Sequence, residues 1–320
     1  MLETIKSKKL SFWIKSLIFL LAVILLYYIL SKHEKLDEHY IAELQKGWKK
    51  NALYFMLAGM LIIVNISLEA YKWKYLISKI EKLSFIRALE GVVTGATMGF
   101  ITPHSLGDYA ARILTLTSAE RTKGFGAVFL SRISQFYITL YFGTVSLVFY
   151  VYQVLQSNEL NYNLVVWFTI FNNILFILIF IYHKAIFRQL ENWQAFKKII
   201  PYVEIIKSYS FRAINYVLFL SLLRYLVFST QFILLLHYFD INLSWWLMLM
   251  GVSFVFFIKS VIPTFFDIGV RETAAVVFFG VFSNNHENII FASLTLWIFN
   301  LAFPAIAGLL FVFKIRIFNR

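Results

Sequence analysis

The sequence predicts an all-α polytopic membrane protein with about six full spans and two broken or re-entrant helical hairpins arranged as an inverted repeat. Three observations carry this. Hydrophobic residues fill 60% of the 320 positions and charged residues only 15%, whereas soluble domains are about a quarter charged. Two membrane-length apolar runs stop at a proline, Pro103 and Pro263, pass through polar residues and resume. Irregular backbone of that kind survives in a bilayer only where protein buries it or it lines a cavity. Finally, Lys and Arg sit in short blocks at the ends of apolar spans, where the positive-inside rule expects them.

In chain order, Phe12 to Leu30 is a 19-residue, largely apolar run with Lys6, Lys8 and Lys9 before it and Lys15 near its start, followed by a polar stretch with no cleavage site. It reads as a retained first span. Ser31 to Asn51 is polar and reads as a helix on the membrane surface. Its His33, Glu34, Asp37, Glu38 and His39 have the spacing of a charged helical face rather than a metal site. Ala52 to Ala70 is the second span, closed by Glu69 and by Tyr71-Lys72-Trp73-Lys74-Tyr75, which reads as an interfacial anchor.

The first broken element follows. Gly91, Gly95 and Gly99 form a doubled G-x-x-x-G, a face for close helix packing, and lead to Pro103. Spans from about Gly126 to Tyr152, carrying Arg132, and from Leu164 to Tyr182 precede the basic stretch Lys184 to Arg212. Tyr216 to Leu236 is a span with Arg224 near its middle. Trp245 to Ile262 runs into the break at Pro263, Val270 to Phe282 resumes, and Ile289 to Phe313 is the last span, containing Pro304.

Lys and Arg placement sets the topology. With each broken element entering and leaving on one side, both termini and Lys184 to Arg212 fall in the cytoplasm, and the three loops lacking Lys and Arg fall outside. Ser31 to Asn51 is the exception, placed outside although it holds five Lys beside four acidic residues. Three spans separate the broken elements, so they enter from opposite sides, and their prolines lie 160 residues apart. One membrane domain, 1–320, results. Its first half covers about 52–160 with a hairpin at 85–118, and its second about 214–313 with a hairpin at 245–282.

The two breaks share a pattern. After Pro103 come Gly107, Asp108 and Arg112; after Pro263 come Asp267, Gly269, Arg271 and Glu272. Each Arg lies four residues beyond an Asp, a spacing that shares a helix face, and falls where the first turns of the resumed helix would favour an anion. Pro103, Gly107, Pro263 and Gly269 serve as hairpin turns. A salt bridge that locks each hairpin explains these pairs, and so does an anion site. Arg132 and Arg224 add further charge at membrane depth, where each ionisable group costs about 2.5 to 3.5 kcal/mol. Arg outnumbers its acidic partners there, and a guanidinium fork suits phosphate.

The net charge of +13 belongs to span ends, so nucleic acid is not an expected partner. The chain has no cysteine, which removes thiol nucleophiles and thiolate metal sites. It also has no G-x-S-x-G, H-E-x-x-H or P-loop. No catalytic residue, cofactor or metal is expected, and the chain is read as not an enzyme.

At these residues the chain resembles the flippase-like transmembrane family of lysylphosphatidylglycerol synthases, the membrane part of the multiple peptide resistance factor. The matching features are Tyr71-Lys72-Trp73, Gly91 to Gly99 leading to Pro103, Gly107-Asp108 with Arg112, Arg132, and Pro263 with Gly269-Val270-Arg271-Glu272. Phe265, Phe266 and Asp267 stand where family members commonly carry a Gly-rich turn. The soluble aminoacyl-transferase domain is absent. The resemblance implies lipid translocation without lipid aminoacylation.

Together these readings give a multi-pass translocase of the cell inner membrane that moves an anionic or amphiphilic lipid between leaflets. Arg112, Asp108, Arg271, Glu272, Arg132, Arg224 and Asp267 are the candidate substrate-binding residues, membrane lipid is the partner, and a homo-oligomer stays open. The alternatives are an intramembrane enzyme acting on a lipid phosphate or glycolipid, with Asp108, Glu272 and His104 as acid and base, or a structural subunit of a cell-envelope synthase.

Overall fold

The computed structural model describes residues 38–102, 105–118, 120–155, 159–262 and 269–313, together with 13, 16, 17, 20 and 24. Regular structure among them is helical throughout: α1 (Glu38–Ile77), α2 (Phe85–Phe100), α3 (Leu106–Leu114), α4 (Gly124–Gln153), α5 (Glu159–Glu191), α6 (Ile200–Val203), α7 (Phe211–Tyr238), α8 (Trp245–Val261), α9 (Val270–Phe279), α10 (His286–Trp297) and α11 (Phe303–Val312). A π turn, Ile298–Ala302, joins the last two into one rod. Five of the described segments are long and apolar enough to cross a membrane: Glu38–Ile77, Arg121–Gln153, Asn161–Glu191, Phe211–Tyr238 and His286–Val312. The chain is thus an all-α, multi-pass membrane protein. The expected first span, Phe12 to Leu30, lies largely outside the described residues, as do His33, Glu34 and Asp37.

The expected surface helix and second span are one element. Residues 38–50 are helical and run on into the span across a single non-helical residue, Asn51, with φ −131° and ψ 23°. The break has a partner. The Asn51 side chain donates to the carbonyls of His237 and Tyr238, at 3.3 and 3.4 Å, where α7 ends. It thereby satisfies acceptors that a helix C-terminus leaves without an intrahelical donor. Lys50 pairs with Asp240 at 2.7 Å beside it.

Serine caps start the two broken elements and α7, the last helix between them: Ser84, Ser244 and Ser210 accept hydrogen bonds from the backbone N–H of Arg87, Leu247 and Ala213. Side-chain oxygens at this position satisfy donors the first turn leaves open. The arms are short. α2 has 16 residues and α8 has 17, below the ~20 needed to cross the hydrocarbon core, and their return arms have 9 and 10. Pro103, His104, Pro263 and Asp267 lie outside the described residues.

One expectation about the breaks changes. Gly107 is not a turn residue: it lies inside the first turn of α3, where a Cβ would run into the carbonyl of Met98. Its N–H donates to the Thr102 hydroxyl at 2.7 Å, so closeness of α3 to α2 is what demands glycine there. Gly269 is the true turn, with φ 94°, a conformation costly for any residue with a Cβ. α9 starts at Val270, which puts Arg271 in its first turn; the expected pairing of Asp267 with Arg271 falls outside the described residues. The glycine face of α2 serves packing as expected, with Gly95 and Gly99 lying against Asp108 and Ser105 of α3.

The packing repeats when the halves are exchanged. α1 packs on α7; α2 packs on α11 and α8 on α4; α1 packs on α4 and α7 on α10. Both long crossings carry a glycine: a Cβ on Gly308 would strike the Val93 carbonyl, and one on Gly143 would strike Phe257. Both also carry a hydroxyl-to-carbonyl bond, Thr97 to Ala305 at 2.6 Å and Ser146 to Met250. Among the described residues a small apolar cluster gathers Phe100, Trp297 and Ala305, and two large ones fill the interior, one around Phe232, Phe254, Phe278 and Ile289, the other around Trp73, Leu76, Val128 and Val217. Along α1 and α7 alike, polar residues separate them. α5 packs less closely and turns Leu164, Trp167, Phe171 and Ile174 outward, as lipid-facing helices do.

One loop carries a pH-dependent staple. Glu81 accepts from the Thr117 hydroxyl and N–H, both at 2.7 Å, and from the Ser118 N–H at 2.9 Å, with Arg87 at 3.3 Å. Burial raises the Glu81 pKa, but these donors and Arg87 together leave it below the ordinary carboxylate value. A pKa lower in the folded chain contributes stability above the unfolded value that is lost as pH falls through the folded one. Protection of the Thr117 and Ser118 amides from hydrogen exchange, taken relative to their intrinsic rates at each pH, is therefore expected to be high at neutral pH and to fall as pH drops below the ordinary carboxylate range. In Glu81→Gln that acid transition should vanish, and its persistence would assign it to another group.

Candidate functional site

The ionisable residues of four helices meet between the two large apolar clusters. Glu69 and Lys72 come from one face of α1 and pair at 3.1 Å. Asp108 and Arg112 come from α3, four residues apart, and pair at 2.7 Å through Nε. The same guanidinium gives Nη1 to Glu69 Oε1, also at 2.7 Å. Arg132 of α4 donates to the second oxygen of Asp108, and Arg224 of α7 lies 3.0 Å from Glu69 Oε2. Glu69 therefore touches Lys72, Arg112 and Arg224, and Asp108 touches Arg112 and Arg132. The Trp73 ring lies 6.0 Å from the Arg112 guanidinium carbon, within cation–π range.

Burial sorts the arginines. Side-chain exposure is 4% for Arg112 and 6% for Arg271, against 20% for Arg224 and 41% for Arg132. Arg112 is enclosed by carboxylates on two sides. The salt-bridge reading of Asp108 and Arg112 therefore describes a contact that is present. The helix-start expectation fails for Arg112, which occupies the last turn of α3, while Asp108 occupies the first. A carboxylate suits that positive end.

In the second broken element Arg271 does lie in the first turn of its helix. It bonds Glu272 at 2.7 Å and the Ser293 hydroxyl at 2.8 Å, while Glu272 reaches back to the Gly269 N–H at 2.7 Å. Glu272 is thus a carboxylate partner of Arg271 among the described residues. Arg224 pairs with Glu69 and not with Glu272.

A directional hydrogen-bond chain leaves the cluster. Arg224 Nε donates to Asn65, Asn65 to Asn300, Asn300 to Gln231, and Gln231 to the carbonyl of Ala58, at 2.8, 2.8, 2.7 and 2.8 Å. Asn300 sits in the π turn, a distortion that recurs at functional sites. All four members of the chain are thereby fixed in orientation.

These groups surround a cavity of about 200 Å³. Asp108, Arg112, Arg132, Arg224 and Arg271 line it together, with Ser105 and Lys259, so residues of both broken elements reach the same space. Phe228, Phe256, Leu296 and Pro304 supply apolar wall. Glu272 joins through Arg271, while Gly107 and Gly269 shape the backbone away from the lining. Glu69, Asn65 and Asn300 also line it and were not singled out as site residues. Lys72, read as part of a surface anchor, is 1% exposed and Trp73 is fully buried. A signal existed: Asn65, Glu69 and Lys72 are spaced four and three apart, one polar face in an apolar helix. A larger hollow of about 360 Å³ beside Trp48 and Phe55 has Gln45 and Lys49 as its polar neighbours and gathers no converging charges. Among the described residues no three His, Asp or Glu side chains gather as a metal site.

Comparison with known proteins gives one result. No curated protein and no solved structure matches this sequence. The family model described as lysylphosphatidylglycerol synthase TM region matches residues 12–308. A match over nearly the whole length, on a helical membrane chain with Asp108, Arg112 and Arg271 at one cavity, fixes the relationship: the chain belongs to the lysylphosphatidylglycerol synthase TM region family.

Proposed function

We propose that this chain is a translocase that moves an anionic or amphiphilic lipid between the leaflets of the cell inner membrane, with both termini cytoplasmic. The observation that carries the proposal is the single cavity into which both broken elements bring arginine. The family's membrane region supports a lipid-related role, and the packing that repeats on exchange of the halves supports two inverted repeats, each contributing one hairpin to a central site.

In this reading Arg132 and Arg224 hold the lipid headgroup, since their guanidinium groups are the more exposed. Arg112 and Arg271 are held by carboxylates and act as a fixed positive wall. Asp108, Glu69 and Glu272 orient the cations, and the acyl tails stay in the bilayer. An intramembrane enzyme using Asp108 and Glu272 as acid and base has less support, because arginine engages both carboxylates.

The test is transfer of labelled lipid between leaflets in proteoliposomes. Arg132→Ala and Arg224→Ala each remove a charged headgroup contact worth about 1.5–3 kcal/mol, so transfer at limiting lipid should fall roughly tenfold or more. Unchanged transfer in both variants, and in Arg112→Ala and Arg271→Ala, with normal melting and elution, would sink the proposal. Mass spectrometry of the lipids separates the enzyme alternative, since translocation alters sidedness and leaves mass unchanged.

A further inference from the structure

We infer that the site selects a phosphomonoester headgroup, a compact dianion, over the phosphodiester of an ordinary phospholipid; this rests on the translocase reading and sharpens its substrate. Charge is the first argument. Lys72, Arg112, Arg132 and Arg224 contact one another's carboxylate partners, Glu69 and Asp108, in a closed network. Among the described residues of that network four cations face two carboxylates, a surplus of two positive charges; Lys259 lines the same cavity. Arg271 and Glu272 neutralise each other and leave that surplus unchanged. A surplus held at membrane depth is unfavourable until an anion enters, and a dianion cancels it where a diester's single charge leaves one behind.

The position of the surplus is the second argument. It resides on Arg132 and Arg224, the two cations with substantial exposure, while Lys72 and Arg112 are enclosed. Arg132 shares Asp108 with Arg112, and Arg224 shares Glu69 with two other cations, so neither guanidinium has a carboxylate of its own. Two planar forks facing one space can engage the oxygens of one phosphate group.

Size is the third argument. The cavity, about 200 Å³, is below the ~300–1,000 Å³ of sites that enclose drug-sized ligands. Among the described residues its non-ionic polar lining is Asn65, Ser105, Asn300 and the indole of Trp297, and the two asparagines are already bonded to each other and to neighbours. A terminal phosphate fits such a space. A diester must also seat a second alcohol beyond the phosphorus, with few free groups to receive it.

The shared chemistry of a monoester lipid and of inorganic phosphate is resolved by the choice of probes. The purified full chain would be titrated with phosphatidic acid, a polyprenyl monophosphate, phosphatidylglycerol and inorganic phosphate, with Arg132→Gln, Arg224→Gln and Arg224→Lys alongside the parent. Both monoester lipids are expected to bind at least about tenfold tighter than phosphatidylglycerol, ~1.4 kcal/mol. Either glutamine variant should erase that preference, and Arg224→Lys should keep most of it. Equal binding of monoester and diester lipids overturns the monoester inference and leaves lipid translocation standing. Binding of inorganic phosphate without any lipid preference overturns both, and so does a preference for monoesters that survives in both glutamine variants.

Discussion

Glu69→Gln is expected to destabilise the protein by about 3–5 kcal/mol, read as an early thermal transition in detergent. The substitution preserves shape and removes only the charge. It leaves Lys72, Arg112 and Arg224, which lie 3.1, 2.7 and 3.0 Å from the carboxylate, without that counter-charge. Removing one member of a buried ion network costs this much because the partners stay desolvated and unpaired. The physical cause is checked by adding Lys72→Met, which removes one stranded cation and should recover part of the loss. A loss under about 1 kcal/mol, or a double variant worse than the single, would show that water enters the cluster and screens it.

The second large effect is steric. Gly308→Val is expected to separate α11 from α2 and to cost about 1–3 kcal/mol or more, since overpacking without room to relax carries that penalty. A Cβ there would collide with the backbone carbonyl of Val93 and the Thr97 hydroxyl, and no rotamer change moves a backbone. It would also break the Thr97 bond to Ala305. Gly59→Ala is the matched control. Nothing lies within 4 Å of a Cβ at Gly59, so a better helix former there should be neutral or stabilise by ~0.5–1 kcal/mol. Equal losses at both sites would point to general sensitivity of glycine positions and not to the crossing.

Much of the fold could be read before the structure because a bilayer restricts spans to long apolar helices, and five described spans fall where apolar runs occur. The breaks were legible from proline and charge. Detail inside the site was less so. Glu69 closes an apolar run in sequence and looks like a span end, yet α1 continues to Ile77 and carries it inside. Lys72 and Trp73 look like an interfacial anchor for the same reason. Spacing singled out Asp267 for Arg271, and Glu272, next to Arg271 in sequence, was not expected to pair with it. The helix start at Val270, fixed by the left-handed Gly269, brings Glu272 to Arg271 and Gly269 together. Such outcomes depend on where a helix begins and on which helices become neighbours, and neither is written locally.

The π turn at Ile298–Ala302 also sets an angular phase. An α-helix advances about 100° per residue, and a π turn accommodates one residue more than a straight helix of the same length. Asn300 within the turn lines the cavity, and Gly308 beyond it meets α2. Drawn as an uninterrupted α-helix, the last rod would rotate everything after the turn by about that amount relative to everything before it. Asn300 and Gly308 could then not both face their partners. The distortion works as a phase shifter, letting one helix serve the cavity with one sector of its surface and the α2 crossing with another.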